Sequence, residues 1–394
     1  MTDRARGWGP FLAGIFAFAT IMLGATVPTP LYPIYASQYD FSQLVITVIF
    51  AAYAVGVIAA LLITGPWSDE FGRKPLLIGG LLLSGISSLI FALAQGLPLI
   101  LLGRVLSGLS VGIYTSAATV AVTEMAPEGR GMTGTLGATA ANMGGLGLGP
   151  IFGALAILAL PLPLHLPFVA HLAMVASALA CLWRVPEPGQ RAAQPRLRVQ
   201  GLAVPPELRG LFVPAAICAF SGFMICGFLT SVTPAYLGQE LDFEGRHLVI
   251  GGVTGLVFLM SCVGQSVEAQ LPARSRLPIG MGLLLVGLLA ITAALAAGRL
   301  PILIAAIVVA GIGHGIAFRG GLSSISKASP KGQASAVVAT YFVVAYVAIS
   351  IPVVAVGLLS RPFGLLPAGI GFAAVASALC TVSLILILRR GQAK

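Results

Sequence analysis

Two arginines and one histidine stand inside long apolar runs of this chain: Arg104 in LLGRVLSGLSVG (101–112), and Arg319 with His314 in GIGHGIAFRGG (311–321). A guanidinium binds carboxylates and phosphates through a planar fork of donors. An imidazole gains and loses a proton near neutral pH. In the middle of a bilayer a guanidinium costs about 2.5–3.5 kcal/mol, so it persists where it has a polar cavity or a partner. Three roles fit Arg104: contact with an anionic ligand, modulation of a proton-coupling step, or hydrogen bonding to nearby carbonyls. Two fit Arg319. It stands about two turns before Lys327 and can snorkel to an interface, or it is a cavity-facing cation beside the His314 ring.

Carboxylates keep to the ends of the runs. The nearest are Asp40, Asp69, Glu124, Glu240 and Glu268. Without one in mid-run, the candidate proton carriers are His314, Glu124 and Asp40. Asp69 belongs to GPWSDEFGRKP (65–75), where charge is concentrated between two apolar blocks. Asp69 and Arg73 are four apart and can pair, and Asp69 can accept from the free N–H groups of the following helix. Gly72 permits a tight turn, and Pro75 suits a first helical turn. This stretch reads either as a latch or as a solvated turn. Tyr32 and Tyr35, among the prolines of VPTPLYPIYA, carry rings with hydroxyl tips, as do Tyr53, Tyr114 and Tyr341. Such rings suit amphipathic ligands in a cavity or an interfacial belt. The four histidines (His165, His171, His247, His314) lack metal-ligand spacing with carboxylates, so neither a metal, a cofactor nor an enzyme is expected. The five cysteines lie in apolar segments and imply no disulfide framework.

The elements that must position these residues follow from composition. The chain of 394 residues is 58% hydrophobic and 9% charged, with a mean hydropathy of +1.00. A soluble fold cannot hide that much apolar surface, so an all-α polytopic membrane protein is expected. Twelve segments are long enough to cross: 10–36, 43–65, 75–96, 98–124, 132–158, 163–184, 210–238, 246–266, 277–298, 300–326, 333–359 and 363–388. The first is read as a retained span, not a cleaved leader. With a cytoplasmic N-terminus, one side holds Arg4, Arg6, Arg73, Lys74, Arg130, Arg184, Arg191, Arg196, Arg198, Arg209, Arg274, Arg276, Lys327, Lys331, Arg389, Arg390 and Lys394. The other holds only Arg246, Arg299 and Arg361. Both termini are therefore expected inside, in the plasma membrane, with Trp8, Trp67 and Trp183 as inner-face anchors. The net charge of +10 has this topological origin; no basic face with interleaved aromatics points to nucleic acid.

The polar stretch 185–209 divides the chain into expected bundles at 1–184 and 210–394. The halves echo each other. EMAPEGRGMTG follows the fourth span and KASPKGQASAV the tenth, matching Pro127 with Pro330 and Gly129 with Gly332. Gly65 and Asp69 have a weaker echo in Gly264 and Glu268. Two repeated bundles around a midplane site describe a transporter.

The loop motif resembles that of the major facilitator superfamily between helices 2 and 3, G-x-x-x-D-[RK]-x-G-[RK]-[RK]. Gly65, Asp69, Gly72, Arg73 and Lys74 match it, and Glu70 stands where the family has a basic residue. The resemblance implies a conformational latch at the inner face, with Glu124 and Arg130 as partners. Arg104 and Gly108 resemble the helix 4 motif R-x-x-x-G. Gly145, Gly149, Pro150 and Gly153, in GGLGLGPIFGA (144–154), resemble a helix 5 motif that the family associates with antiporters, chiefly drug and metabolite exporters. Those glycines are expected to flatten a face against the other half, although glycine pairs also serve generic packing. The resemblance thus implies a proton-coupled exporter of an amphipathic small molecule, acting as a monomer. The two intramembrane arginines keep open an organic-anion permease.

Overall fold

The computed structural model describes residues 6–189, 192, 194, 196–330 and 332–392. Arg4, Arg191, Lys331 and Lys394, counted above as inner-face cations, lie outside the described residues. Among the described residues, twelve helices are long and apolar enough to cross a membrane: α1 (Trp8–Tyr39), α2 (Gln43–Thr64), α3 (Arg73–Ala92), α4 (Leu97–Met125), α5 (Gly131–Ala159), α6 (Leu166–Trp183), α7 (Pro206–Ser231), α8 (His247–Glu268), α9 (Ala273–Ala297), α10 (Leu300–Ala328), α11 (Ala334–Phe363) and α12 (Leu365–Arg389). No strand occurs among the described residues. Leu82, Val286 and Ile351 are among many large apolar side chains on outer helix faces, where lipid tails are their natural solvent.

Local sequence explains the irregular points. Pro28, Pro30 and Pro33 interrupt α1, which passes through a 3-10 turn at Thr29–Leu31 before resuming at Tyr32–Tyr39. Proline removes backbone donors and cannot continue an undisturbed helix. α5 contains a π-helical turn at Ala140–Gly144 and carries Pro150 within its later portion. Such turns bend helices at functional positions. Gly72 has φ +97°, in the region where side chains are disfavoured. It separates the short helix Trp67–Phe71 from α3, whose first turn accommodates Pro75.

The contacts form two compact units. One comprises residues up to Leu31 together with Ala52–Gly201; the other comprises Tyr32–Ala51 and everything from Leu202 onward. In the first, α1 packs on α4, α5 and α6, and α3 on α4 and α6. In the second, α10 packs on α8 and α9, α11 on α7, and α12 on α9. The continuation of α1 and the start of α2 belong to this second set: Gln43 Nε2 donates to the Ser231 carbonyl at 3.2 Å.

A shared device appears in both units. A Cβ on Gly108 of α4 would lie 2.0 Å from the Tyr53 carbonyl oxygen of α2, and one on Gly315 of α10 would lie 2.2 Å from the Ser261 carbonyl oxygen of α8. Bare backbone is required at both crossings. The echo between the halves therefore extends to how equivalent helices meet.

Candidate functional site

After the C-terminal end of α2 the loop residues meet as their spacing suggested. Arg73 pairs with Asp69, with Glu124 Oε2 at 3.4 Å, and donates to Ser68 Oγ at 2.9 Å. Its side chain is 12% exposed and that of Asp69 76%, so the cluster lies at the edge of the packed region. Arg130 is placed elsewhere, with its guanidinium 5.4 Å from the centre of the Trp8 ring. The N-terminal N–H groups of α3 do not go to Asp69, as the sequence reading had it. Glu187 takes them: its Oε1 accepts from Arg73 N at 2.7 Å and its carboxylate from Lys74 N at 3.3 Å. A side chain from the far end of α6 reaches the axis of α3, whereas Asp69 points along the side of the turn toward Arg73.

The stretch after α6 is stitched to the same loop. Lys74 Nζ donates to the Trp183 carbonyl at 2.9 Å. Glu70 Oε2 accepts from Arg196 N at 3.0 Å, and the Glu70 carbonyl from Ala192 N at 3.3 Å. Trp67 Nε1 donates to the Arg198 carbonyl at 3.0 Å, and Gln200 N to the Leu62 carbonyl at 2.7 Å. Glu70, the residue that departs from the family pattern, therefore holds the described part of a strap after α6, at the backbone of Ala192 and Arg196. Sequence reading missed Glu187 because its Pro- and Arg-rich surroundings resemble a plain linker. The available signal was a lone acid, Glu187, amid basic residues.

Deeper in the first unit, Arg104 is 1% exposed. It donates to the Ala25 carbonyl at 2.7 Å, and its guanidinium carbon stands 4.8 Å from the centre of the Tyr53 ring. Of its three readings, carbonyl bonding is the one these contacts realise. Gly108, one turn on, lets α2 come close enough to bring Tyr53 there. Tyr114 is buried and gives its hydroxyl to the Leu77 carbonyl at 2.9 Å. His171, not singled out from sequence, joins three helices: Nδ1 meets Ser88 Oγ at 2.7 Å and Nε2 meets the Thr20 carbonyl at 2.9 Å. Since only an N–H can meet that carbonyl, Nε2 carries the hydrogen and Nδ1 accepts from Ser88.

The helix 5 glycines face α1 of their own unit, which corrects the expectation that they lie against the other half. A Cβ on Gly145 would approach the Ala19 carbonyl oxygen to 2.8 Å, one on Gly149 Thr26 Oγ1 to 2.0 Å, and one on Gly153 the Val27 carbonyl oxygen to 2.6 Å. Thr26 Oγ1 donates to the Leu146 carbonyl at 2.8 Å, a carbonyl close to the disturbance that Pro150 makes in the helix. The motif is an α1–α5 seam at the level where α1 breaks.

In the second unit, Arg319 is an ion-pair partner. Its Nε is 3.4 Å from Glu268 Oε2, and Nη1 donates to the Gln265 carbonyl at 3.0 Å. Arg276 of α9 holds the other Glu268 oxygen at 2.9 Å. Glu268 is 2% exposed. The echo of Asp69 in Glu268 is thus an echo in chemistry, a carboxylate at the C-terminal side of a unit's second helix gripped by arginine. His314 is 2% exposed and lies against Phe223 and Phe318, with Nδ1 3.0 Å from Ser261 Oγ. Tyr341 stacks on Phe318 and gives its hydroxyl to the Phe318 carbonyl at 3.2 Å. Tyr32 lines a cavity of about 330 Å³ with Gln43, Ser231 and Glu244. Tyr35 is 1% exposed. Asp40 is exposed, in a turn with φ +52°.

Residues 14–353 match a family profile described as Major Facilitator Superfamily. The chain belongs to that superfamily. Superfamily relatives locate it further. It is 26% identical over 249 residues to "Multidrug resistance protein 1" of Bacillus subtilis (strain 168), covering 60% of this chain and 61% of the relative. It is 30% identical over 89 residues to "Arabinose-proton symporter" of the same organism, covering 23% and 19%. The chain thus spans less than two thirds of the length of these curated relatives. A solved bacterial homologue of the human lysosomal transporter Spinster superposes with TM-score 0.72 at 14% identity, over 96% of this chain and 97% of the other. At that identity the likeness speaks for the superfamily fold alone. The chain is thus a superfamily member with twelve helices, among the described residues, long and apolar enough to cross a membrane.

Proposed function

We propose that this transporter expels an amphipathic small molecule from the cytoplasm in exchange for protons, its halves exposing a midplane site alternately. It works as a monomer in the plasma membrane with both termini inside. One observation carries the preference for an amphipathic over an anionic cargo: Glu268 offsets Arg319, and a backbone carbonyl and a ring face hold Arg104. The two intramembrane cations are engaged by the protein itself, and each unit buries aromatic rings, Tyr53 in the first and Phe223, Phe318 and Tyr341 in the second. The relative named for multidrug resistance supports the cargo of this reading, and the one named for proton symport supports proton coupling without its direction. Asp69, Arg73 and Lys74, on the turn made by Gly65 and Gly72, serve with Glu124 at the end of α4 as the inner latch.

The test is flux in proteoliposomes with ethidium as an amphipathic probe. An imposed pH gradient should drive its transport, and nigericin should abolish the drive. Flux of ethidium and of a broad panel that ignores both pH gradient and membrane potential would exclude proton exchange.

A second reading, an uptake or exchange permease for an organic anion, rests on Arg104 and Arg319 lying within spans. It requires that Arg104→Gln with Arg319→Gln abolish anion flux. Survival of that flux removes it.

A further inference from the structure

One short pattern occurs twice, each time where a span hands over to the next. Thr29-Pro30-Leu31-Tyr32 runs on to Asp40-Phe41, and Thr233-Pro234-Ala235-Tyr236 runs on to Asp242-Phe243. Proline stands at or just before the start of each closing helix, Tyr32–Tyr39 and Thr233–Gln239. Each segment turns at a left-handed aspartate, Asp40 with φ +52° and Asp242 with φ +56°, a conformation that aspartate tolerates. The next amide closes the turn. Phe41 N donates to the Ala36 carbonyl at 3.0 Å, and Phe243 N to the Leu237 carbonyl at 2.9 Å. The segments from Tyr32 and from Thr233 belong to the second unit and pack on each other.

Between them lies the cavity of about 330 Å³ that Tyr32 lines. Tyr32, Ile46 and Pro234 form a buried floor. Ser37, Gln239 and Glu244 form an exposed rim. The repeats are alike in backbone and differ in what they present here. Tyr236, the counterpart of Tyr32, gives its hydroxyl to the Leu295 carbonyl at 3.0 Å and does not line the cavity. Ser42 follows Phe41, whereas Glu244 follows Phe243. Two polar lining groups are engaged by the protein: Gln43 Nε2 donates to the Ser231 carbonyl, and the Ser231 hydroxyl to the Gly227 carbonyl at 2.7 Å. Glu244 has no ion pair among the described residues. Arg246 lies over a ring instead, its guanidinium carbon 5.2 Å from the centre of Phe243.

We propose that this cavity binds an organic cation with an aromatic body. The floor and the Phe41 ring take the apolar part, and Glu244 takes the charge at the rim. Tyrosine and phenylalanine faces attract cations as well as apolar groups. The field at the mouth is negative: the two turns carry Asp40, Glu240, Asp242 and Glu244 against Arg246, and a concave mouth focuses such a field. An anion finds no Lys, Arg or His in the lining. A divalent metal finds one carboxylate where it takes several oxygens. The volume is that of a site for a small organic molecule. The cavity stands at the ends of α1 and α7 and the start of α2. It is therefore separate from the midplane site proposed above, and it depends on neither the direction nor the coupling of transport.

The experiment titrates ethidium into full-length protein in lipid nanodiscs, read by fluorescence polarisation against empty nanodiscs. Phenyltrimethylammonium should displace it, and benzenesulfonate should not. Glu244→Gln should weaken ethidium binding about fivefold and flatten its dependence on salt. Gly238 supplies a second variant. It lines the cavity, and a Cβ there would meet nothing within 4 Å. Gly238→Leu thus grows into open space, and it should weaken binding about tenfold with the unfolding temperature unchanged. Parental affinity in both variants, or no ethidium binding by the parent, overturns the site. Parental affinity in Glu244→Gln alone overturns the part given to the carboxylate. Displacement by benzenesulfonate as strong as by the cation overturns the choice of charge. Ethidium flux driven by a pH gradient, with parental affinity in both variants, removes this site and leaves proton exchange standing. Affinity lost in both variants, with flux that ignores the gradient, removes proton exchange and leaves this site standing.

Discussion

Arg104 is the residue on which the interior of the first unit is organised. Its guanidinium is held by one carbonyl and one ring face, so planarity matters as much as charge. Arg104→Lys keeps the charge and loses the flat stack and the fork. The variant should unfold at a lower temperature than the parent in detergent, by an amount matching about 1–2 kcal/mol. Tyr53→Leu should cost about as much, and the double variant less than the sum of the two, because both remove one contact. Arg73 invites a different comparison. It joins Asp69, Glu124 and Ser68, whereas Asp69 is mostly exposed and has Arg73 as its salt-bridge partner among the described residues. Asp69→Asn should shift the resting population toward the inward-facing form, measured by spin-label distances across the inner face, with little loss of thermal stability. Arg73→Ala should produce the same shift and also lower the unfolding temperature. An unchanged distance distribution in both variants would argue for a plain solvated turn.

At the scale of elements, α5 is the sharpest case. Gly149→Ala places a methyl group against the Leu23 carbonyl, 2.4 Å away, which is backbone and cannot rotate aside. A cost of about 1–3 kcal/mol follows, seen as a lowered unfolding temperature. Gly144, one turn earlier, has open space where its Cβ would stand, so Gly144→Ala should be neutral or stabilise by up to about 1 kcal/mol. Equal effects at both positions would refute the seam. The strap gives an element-level prediction of its own. Glu70→Lys restores the family's charge, removes the acceptor of Arg196 N, and should speed tryptic cleavage after Arg196 and Arg198 several-fold. Much of this was legible in the sequence. The spans could be read because a bilayer demands about twenty apolar residues in a row, and the Asp69–Arg73 pair because four residues make a helical turn. The partner of a glycine face could not be read. Such a face announces a close approach without naming the approaching helix, and α5 was assigned to the wrong neighbour. Arg319 stayed open between snorkelling and a cavity-facing cation because Glu268 lies far away in sequence and shares no local period with it. Glu187 and Glu70 were opaque for the same reason: their acceptors serve backbone N–H groups, which have no side-chain signature.

For the whole molecule, the two units repeat a pattern and differ in chemistry. Each has a carboxylate gripped by arginine at the C-terminal side of its second helix, exposed at Asp69 and buried at Glu268. Each has a buried histidine, and the two are wired differently: His171 has both nitrogens engaged, and His314 has one vacant. Replacing His171 should therefore cost stability in any assay. Replacing His314 should change the pH response of flux more than it changes the unfolding temperature. A His314→Gln protein with wild-type pH dependence of ethidium flux would contradict that division of labour.

The bonds that converge on α1 set a timetable for synthesis. Its Thr20 carbonyl meets His171, 151 residues later, and Thr26 meets the Leu146 carbonyl, 120 residues later. Ribosomes add roughly 5–20 residues per second, so this helix waits roughly 8–30 seconds for His171 to be made. Through that interval its polar seam faces lipid or an insertion factor. Conditions that slow elongation should therefore expose this helix to quality-control proteases before any other.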